Sequence, residues 1–138
     1  NVNRIAASNA IDFFYLLSEI KKENDYTLEL GILQYRLENY PISLKLFSKC
    51  QNDIATYYMA MMYLNGLGIS KNIKQARDLF GKIKHYKDSN DWYKELDKTI
   101  KKEEVKTHII QVKVIIRKLI LETTMTLGVL YPLLPVLH

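Results

Sequence analysis

ATYYMAMMYLNGLGISKNIKQARDLF, residues 55–80, is the stretch whose spacing decides the fold. Its first half carries Tyr57, Tyr58, Ala60, Met61 and Tyr63, which predicts a helix over residues 54–64 that Asp53 can cap. Asn65-Gly66-Leu67-Gly68 follows as a loop with the glycine signal of a helix C-terminus. Ser70 or Asn72 opens the next helix, with Ile73, Ala76, Leu79, Phe80 and Ile83 on one face. The stretch is a helical hairpin, and one hairpin cannot bury its own apolar faces.

A related pattern lies upstream. Gly31 is followed 12 residues later by Ser43 and 16 later by Phe47; Ala60 is followed 16 later by Ala76 and 20 later by Phe80. Each unit thus has a small residue on its first helix, then a small residue and an aromatic on its second. Small residues let antiparallel helices approach at their crossing, and the aromatic fills the gap toward the next pair. The second unit is four residues longer, and the extra length falls in residues 65–71.

Working outward, Phe13, Leu16, Leu17 and Ile20 recur at helical spacing over residues 8–22, with Ser8 as N-cap and Glu23-Asn24-Asp25 as a break. Leu30, Leu33 and Leu37 stripe a helix over residues 26–38. Asn39-Tyr40-Pro41 ends that helix and starts another over residues 42–50, proline being tolerated in a first turn. Asp88-Ser89 opens a helix with Trp92, Tyr93, Leu96 and Ile100.

Ala55, Tyr58, Met59, Ala60, Tyr63, Gly66, Gly68, Ile69, Lys74, Ala76 and Phe80 together resemble a Sel1-like repeat, with Met59-Ala60 standing where leucine-glycine is usual. Leu30-Gly31, Ser43 and Phe47 resemble a plainer tetratricopeptide motif, and Tyr86-Lys87-Asp88-Ser89 resembles the joint between two such pairs. The resemblance covers residues 26–100. It implies a non-catalytic scaffold that binds proteins or peptides in assembly, secretion or signalling complexes, with no catalytic residue, cofactor or metal to carry over.

Beyond the repeats, Val105, Ile109, Val112, Ile116 and Leu119 are spaced 4, 3, 4 and 3 residues apart, a heptad-like seam. Residues 111–115 partly alternate as a strand would, but the seam holds over more residues and favours helix. Residues 119–137 are mostly apolar and approach the length of a membrane span, although Glu122, Pro132 and Pro135 make them a poor one. The expected fold is all-α: antiparallel helix pairs stacked as a short α-solenoid, with a long C-terminal helix and an apolar tail. The expected domains are a helical repeat domain over residues 1–104, with units at about 26–50 and 53–85, and a capping or interaction segment over 105–138.

Composition agrees with a folded helical chain. Of 138 residues, 48% are hydrophobic and 25% charged, and three prolines and five glycines leave little for a many-turned β fold. The charge is uneven: residues 1–69 hold 6 Lys/Arg against 7 Asp/Glu, and residues 70–138 hold 14 against 8, giving −1 and +6. The basic half is mostly lysine, which a solvated face explains. Without interleaved aromatics and arginines it gives no platform for bases.

Chemistry is sparse. Cys50 stands alone, with no histidine near it in sequence, and reads as a small hydrophobe at a helix end. His85, His108 and His138 are scattered. Gly66-Leu67-Gly68 lacks the preceding strand and the third glycine or lysine-serine/threonine ending of a phosphate loop. Asp88/Asp91 and Glu103/Glu104 fit caps and solvated charge. The expected function is protein binding through Tyr35, Tyr57, Met61, Trp92, Val112, Ile116 and Leu119, with core packing as the plainer explanation of Trp92. The expected partner is a protein or peptide, with homo-oligomerisation or a larger complex through the C-terminal segment. The alternatives are a membrane-associated subunit using that segment and, behind it, a basic nucleic-acid-binding module. No cofactor or metal is expected. Cytoplasmic residence ranks first and an export pathway second.

Overall fold

The computed structural model describes residues 2–20 and 25–130, and all regular structure among them is helical. Six helices run in order: α1 (Val2–Ile20), α2 (Thr27–Arg36), α3 (Tyr40–Phe47), α4 (Asp53–Asn65), α5 (Ile73–Lys82) and α6 (Ser89–Leu130). The chain divides into two units, Asn1–Lys98 and Thr99–His138, with the boundary inside α6.

In the first unit, consecutive helices pair: α2 packs on α3 and α4 on α5, with α1 against α2 and α3 against α4. The fold is all-α, a short stack of helix pairs with a long C-terminal helix. Short connections enforce the pairing, because Leu37-Glu38-Asn39 must reverse the chain in three residues. Glu38 takes a positive φ of 63° to do so.

Local chemistry fixes the helix ends, and in places not where the sequence pattern put them. Ser8 is not a cap, since α1 already runs from Val2. Asn52, rather than Asp53, caps α4 by accepting the amide of Ala55 at 2.8 Å, and Asp53 becomes its first residue. Asparagine and aspartate cap equally well, but Asn52 is the one that lies in extended backbone, while the aspartate one residue on still favours the positive helix N-terminus. Between the two candidates for α5, Asn72 is the cap, accepting from the amide of Gln75 at 3.0 Å. Pro41 lies in the first turn of α3, which runs from Tyr40 to Phe47 rather than over 42–50. At α2 it is Asp25 that accepts the amide of Thr27, at 2.9 Å. The Thr27 hydrogen bonds hold the Asp25 carboxyl below its ordinary range. The residues over 111–115 are helical. Residues 21–24 and the prolines at 132 and 135 lie outside the described residues.

The core is two clusters built on the repeated small–small–aromatic pattern. Phe47 is fully buried with Ala55 and Met62, and Phe80 is fully buried with Ala60 and Ala76. Gly31 is buried under the Phe47 ring, and the Ser43 hydroxyl donates to the Gly31 carbonyl at 2.8 Å. Each phenylalanine also stacks on an aromatic of the following helix: Phe47 on Tyr58 of α4, centroids 5.0 Å apart, and Phe80 on Trp92 of α6, 6.1 Å apart. The opening turns of α6 thus close the cluster around Phe80 with Trp92, Tyr93 and Leu96.

The four extra residues of the second unit also have a structural role. Gly66 ends α4 in the left-handed region, and Leu67 donates its amide to Met62. Gly68, also at positive φ, lies directly over Tyr40 and Pro41, so this loop is held against the start of α3.

Two outcomes follow for thermal unfolding. A β-carbon on Gly31 would stand 2.7 Å from Phe47 Cε1, on a ring with nowhere to move. Gly31→Ala should therefore lower the melting temperature. Overpacking costs ~1–3 kcal/mol, more than the helix propensity of up to ~1 kcal/mol that alanine returns. Adding Phe47→Leu should remove most of that loss, and independent, additive effects would refute the contact. Gly68→Ala should destabilise more than Gly66→Ala. Both force alanine to positive φ, but at Gly68 the new carbon also clashes with backbone, 2.8 Å from the Pro41 nitrogen, whereas at Gly66 the nearest backbone atom, the Lys71 nitrogen, is 3.4 Å away.

Candidate protein-interaction surface

The residues singled out from the sequence fall into two groups. Tyr35, Tyr57, Met61 and Trp92 belong to the first unit and are half-buried. Tyr35 packs edge-on against Tyr40 and Tyr58, at 5.4 and 4.9 Å between centroids, and burial pushes its phenol up. Met61 packs against the cluster around Phe80. These side chains therefore contribute to the core before they offer any surface.

Tyr57 and Trp92 are brought together by one carboxylate. The Tyr57 hydroxyl donates to Asp88 Oδ1 at 2.9 Å, and Trp92 Nε1 donates to Asp88 Oδ2 at 3.0 Å. Asp88 thus joins α4 to α6 through side chains. Tyr57 also meets Phe80 and Tyr86 edge-on, and the Lys87 ammonium lies 4.8 Å from its ring centre. Burial first, then the hydrogen bond and charge of Asp88, push the Tyr57 phenol up to about 12. Beside this group, His85 Nε2 lies 2.6 Å from Asp53 Oδ2, tying the start of α4 to the segment after α5. Sequence reasoning missed both links, because their partners are 31 and 32 residues apart, one in α4 and the other in the segment after α5.

His85 and Asp53 are an exposed two-member pair. Among the described residues no three His, Cys, Asp or Glu side chains converge as metal ligands would. Cys50 is half-buried, and burial, followed by the charges of Asp25 and Glu29, raises its thiol, opposite to what a reactive thiolate needs. An open groove of about 680 Å³ lies between α1 and α2, lined by Ala6, Ala7, Ala10, Arg4 and Arg36 among others.

The second group, Val112, Ile116 and Leu119, lies on the part of α6 that belongs to the second unit. Every described side chain from 101 to 128 is exposed. Along the seam, Val105, Ile109, Val112, Ile116 and Leu119 leave between 39 and 59% of their surface open. A second, narrower stripe of Ile110, Val114, Leu121 and Met125 is also exposed. At 100° per residue it falls on the opposite face, and Lys106, Lys113 and Arg117 separate the stripes along one side. Past the seam, Thr123 donates its hydroxyl to the Leu119 carbonyl at 2.8 Å, Thr124 to Ile120 at 3.0 Å and Thr126 to Glu122 at 2.8 Å. Among the described residues no helix is long and apolar enough to cross a membrane. The tail from 131 onward, part of the apolar segment read from the sequence, lies outside the described residues.

The Asp88 link can be tested by titration. Below its ordinary pKa of 10 the Tyr57 phenol is protonated in both folded and unfolded chains, and the hydrogen-bonded neutral form contributes its full stability. Because the folded value is raised, that contribution is lost as pH climbs from 10 through about 12. Ultraviolet difference titration of the native chain against Tyr57→Phe should isolate this late phenol. Asp88→Asn should bring it part of the way back toward 10, leaving the shift due to burial; an unmoved titration would refute the link.

Comparison with known proteins returns no match: no family model, no curated protein and no solved structure.

Proposed function

We propose that the chain is a non-catalytic protein-interaction scaffold of the helical-repeat kind, in which the stacked pairs of the first unit are the framework and the exposed seam on α6 makes the contact. One observation carries this reading. Five branched or long aliphatic residues at heptad spacing stand open to water along a single helix face. Contiguous apolar surface of this sort is rare on a monomer and marks a place where another molecule sits. The heptad period supports a helix as that molecule, because knobs at 3.5-residue spacing fit holes on another helix. The likeness of residues 55–80 to a Sel1-like repeat supports the same reading. So does the repetition of the buried aromatic, Phe47 in one pair and Phe80 in the next, each stacked on the following helix.

Tyr35, Tyr57, Met61 and Trp92 then serve the framework, with their open edges available beside it, and Val112, Ile116 and Leu119 form the contact. The lysines flanking the seam favour a partner helix with acidic or apolar flanks.

Lysine-directed cross-linking with mass spectrometry tests this on the intact chain. Lys106, Lys113 and Lys118 should join to lysines of a defined protein chain. The triple variant Val112→Gln/Ile116→Gln/Leu119→Gln should lose those links while keeping its helicity and melting temperature. A native chain that remains a single species and links to no other polypeptide would overturn the proposal.

A further inference from the structure

Resting on that reading, we infer that the α6 seam pairs with the same seam of a second copy of this chain, antiparallel, in a two-fold coiled coil. In heptad terms Val105, Val112 and Leu119 occupy d, Ile109 and Ile116 occupy a, and Thr123 is the next a. The e flank carries Lys106, Lys113 and Ile120, and the g flank carries His108, Ile115 and Glu122. All are exposed on one continuous helix.

The seam is complementary to itself when reversed. An antiparallel register centred near Val114 sets Ile109 against Leu119 of the second copy, Val112 against Ile116, and Val105 against Thr123. Every seam residue finds an opposite within residues 105–123, a span of roughly 27 Å. On the g flank, Glu122 comes level with His108 of the second copy, twice by symmetry, and Ile115 meets Ile115. On the e flank, Lys106 lies along Ile120, where its methylene stem can pack. The only like-charge meeting is Lys113 with Lys113, at a solvated edge where screening is strong.

A parallel pair fares worse. There, g faces the e residue five positions on, so Lys101 meets Lys106 and His108 meets Lys113, each twice, while Glu122 faces Leu127 and gains nothing. Charge therefore selects the reversed arrangement, and its two-fold symmetry closes the assembly at two chains.

Analytical ultracentrifugation of the full chain should give the mass of two copies at micromolar concentration. Ile116→Glu should weaken association about 100-fold or more, because it buries unpaired carboxylates in the seam. Glu122→Lys should weaken it several-fold, and adding His108→Glu should restore it. Direction is read from paired spin labels in a Cys50→Ser background. Labels at Glu103 should lie roughly 33 Å apart along the helix axis and labels at Gln111 roughly 9 Å. Equal separations at the two sites mean a parallel pair and overturn the inference, as does a single-chain mass throughout. If the chain is monomeric but its lysines still link to a different protein through the seam, self-pairing falls and the scaffold reading stands. Absence of both ends both.

Discussion

In each helix pair a fully buried phenylalanine presses against residues with little or no side chain. Phe47 sits over Gly31 and beside Ser43, and Phe80 is packed with Ala60 and Ala76. The small residues let the two helices of a pair approach, and the ring then extends past its own pair to stack on Tyr58 or Trp92 of the next helix. One contact thus closes a pair and joins it to its successor. The first unit owes its order to that double duty: unseating either ring would loosen a crossing and a junction together, as expected of stacked repeats whose stability resides in neighbour interfaces.

Much of this fold was legible because its determinants are local. Helical spacing, a capping residue and a small–small–aromatic pattern all act within some 20 residues, and they gave the helix pairs. Misreadings arose where two residues competed for one task. Asn52 and Asp53 are both good caps, and backbone geometry rather than residue type put the first at the boundary. Ser8 resembles a cap yet lies inside a helix that begins earlier. The four-residue insertion before α5 was visible as extra length, but only the packing of Gly68 on Tyr40 and Pro41 explains why two glycines are needed there.

Of the residues singled out, the exposed stripe on α6 was legible and the packing of the others was not. That Val112, Ile116 and Leu119 share one face could be read because a heptad is a statement about one helix, and the structure leaves them exposed. Tyr35, Tyr57, Met61 and Trp92 were chosen by helical position, and position alone does not separate a groove-lining side chain from one resting on the next helix. What decides between them is tertiary: the Asp88 carboxylate that receives both Tyr57 and Trp92, and the Tyr58 ring against Tyr35. A periodicity argument sees the face and not what stands opposite it.

The threonines near the end of α6 alter what that helix offers its surroundings. A hydropathy scale counts Thr123, Thr124 and Thr126 as polar, so on such a scale the apolar run is interrupted after Leu121. In the folded helix each hydroxyl has already given its one proton to a backbone carbonyl of the preceding turn. What remains for the outside is a methyl group and a weak acceptor. To a neighbouring molecule these positions behave more like valine than serine, and the water-averse length of the helix runs a turn further than its letters suggest.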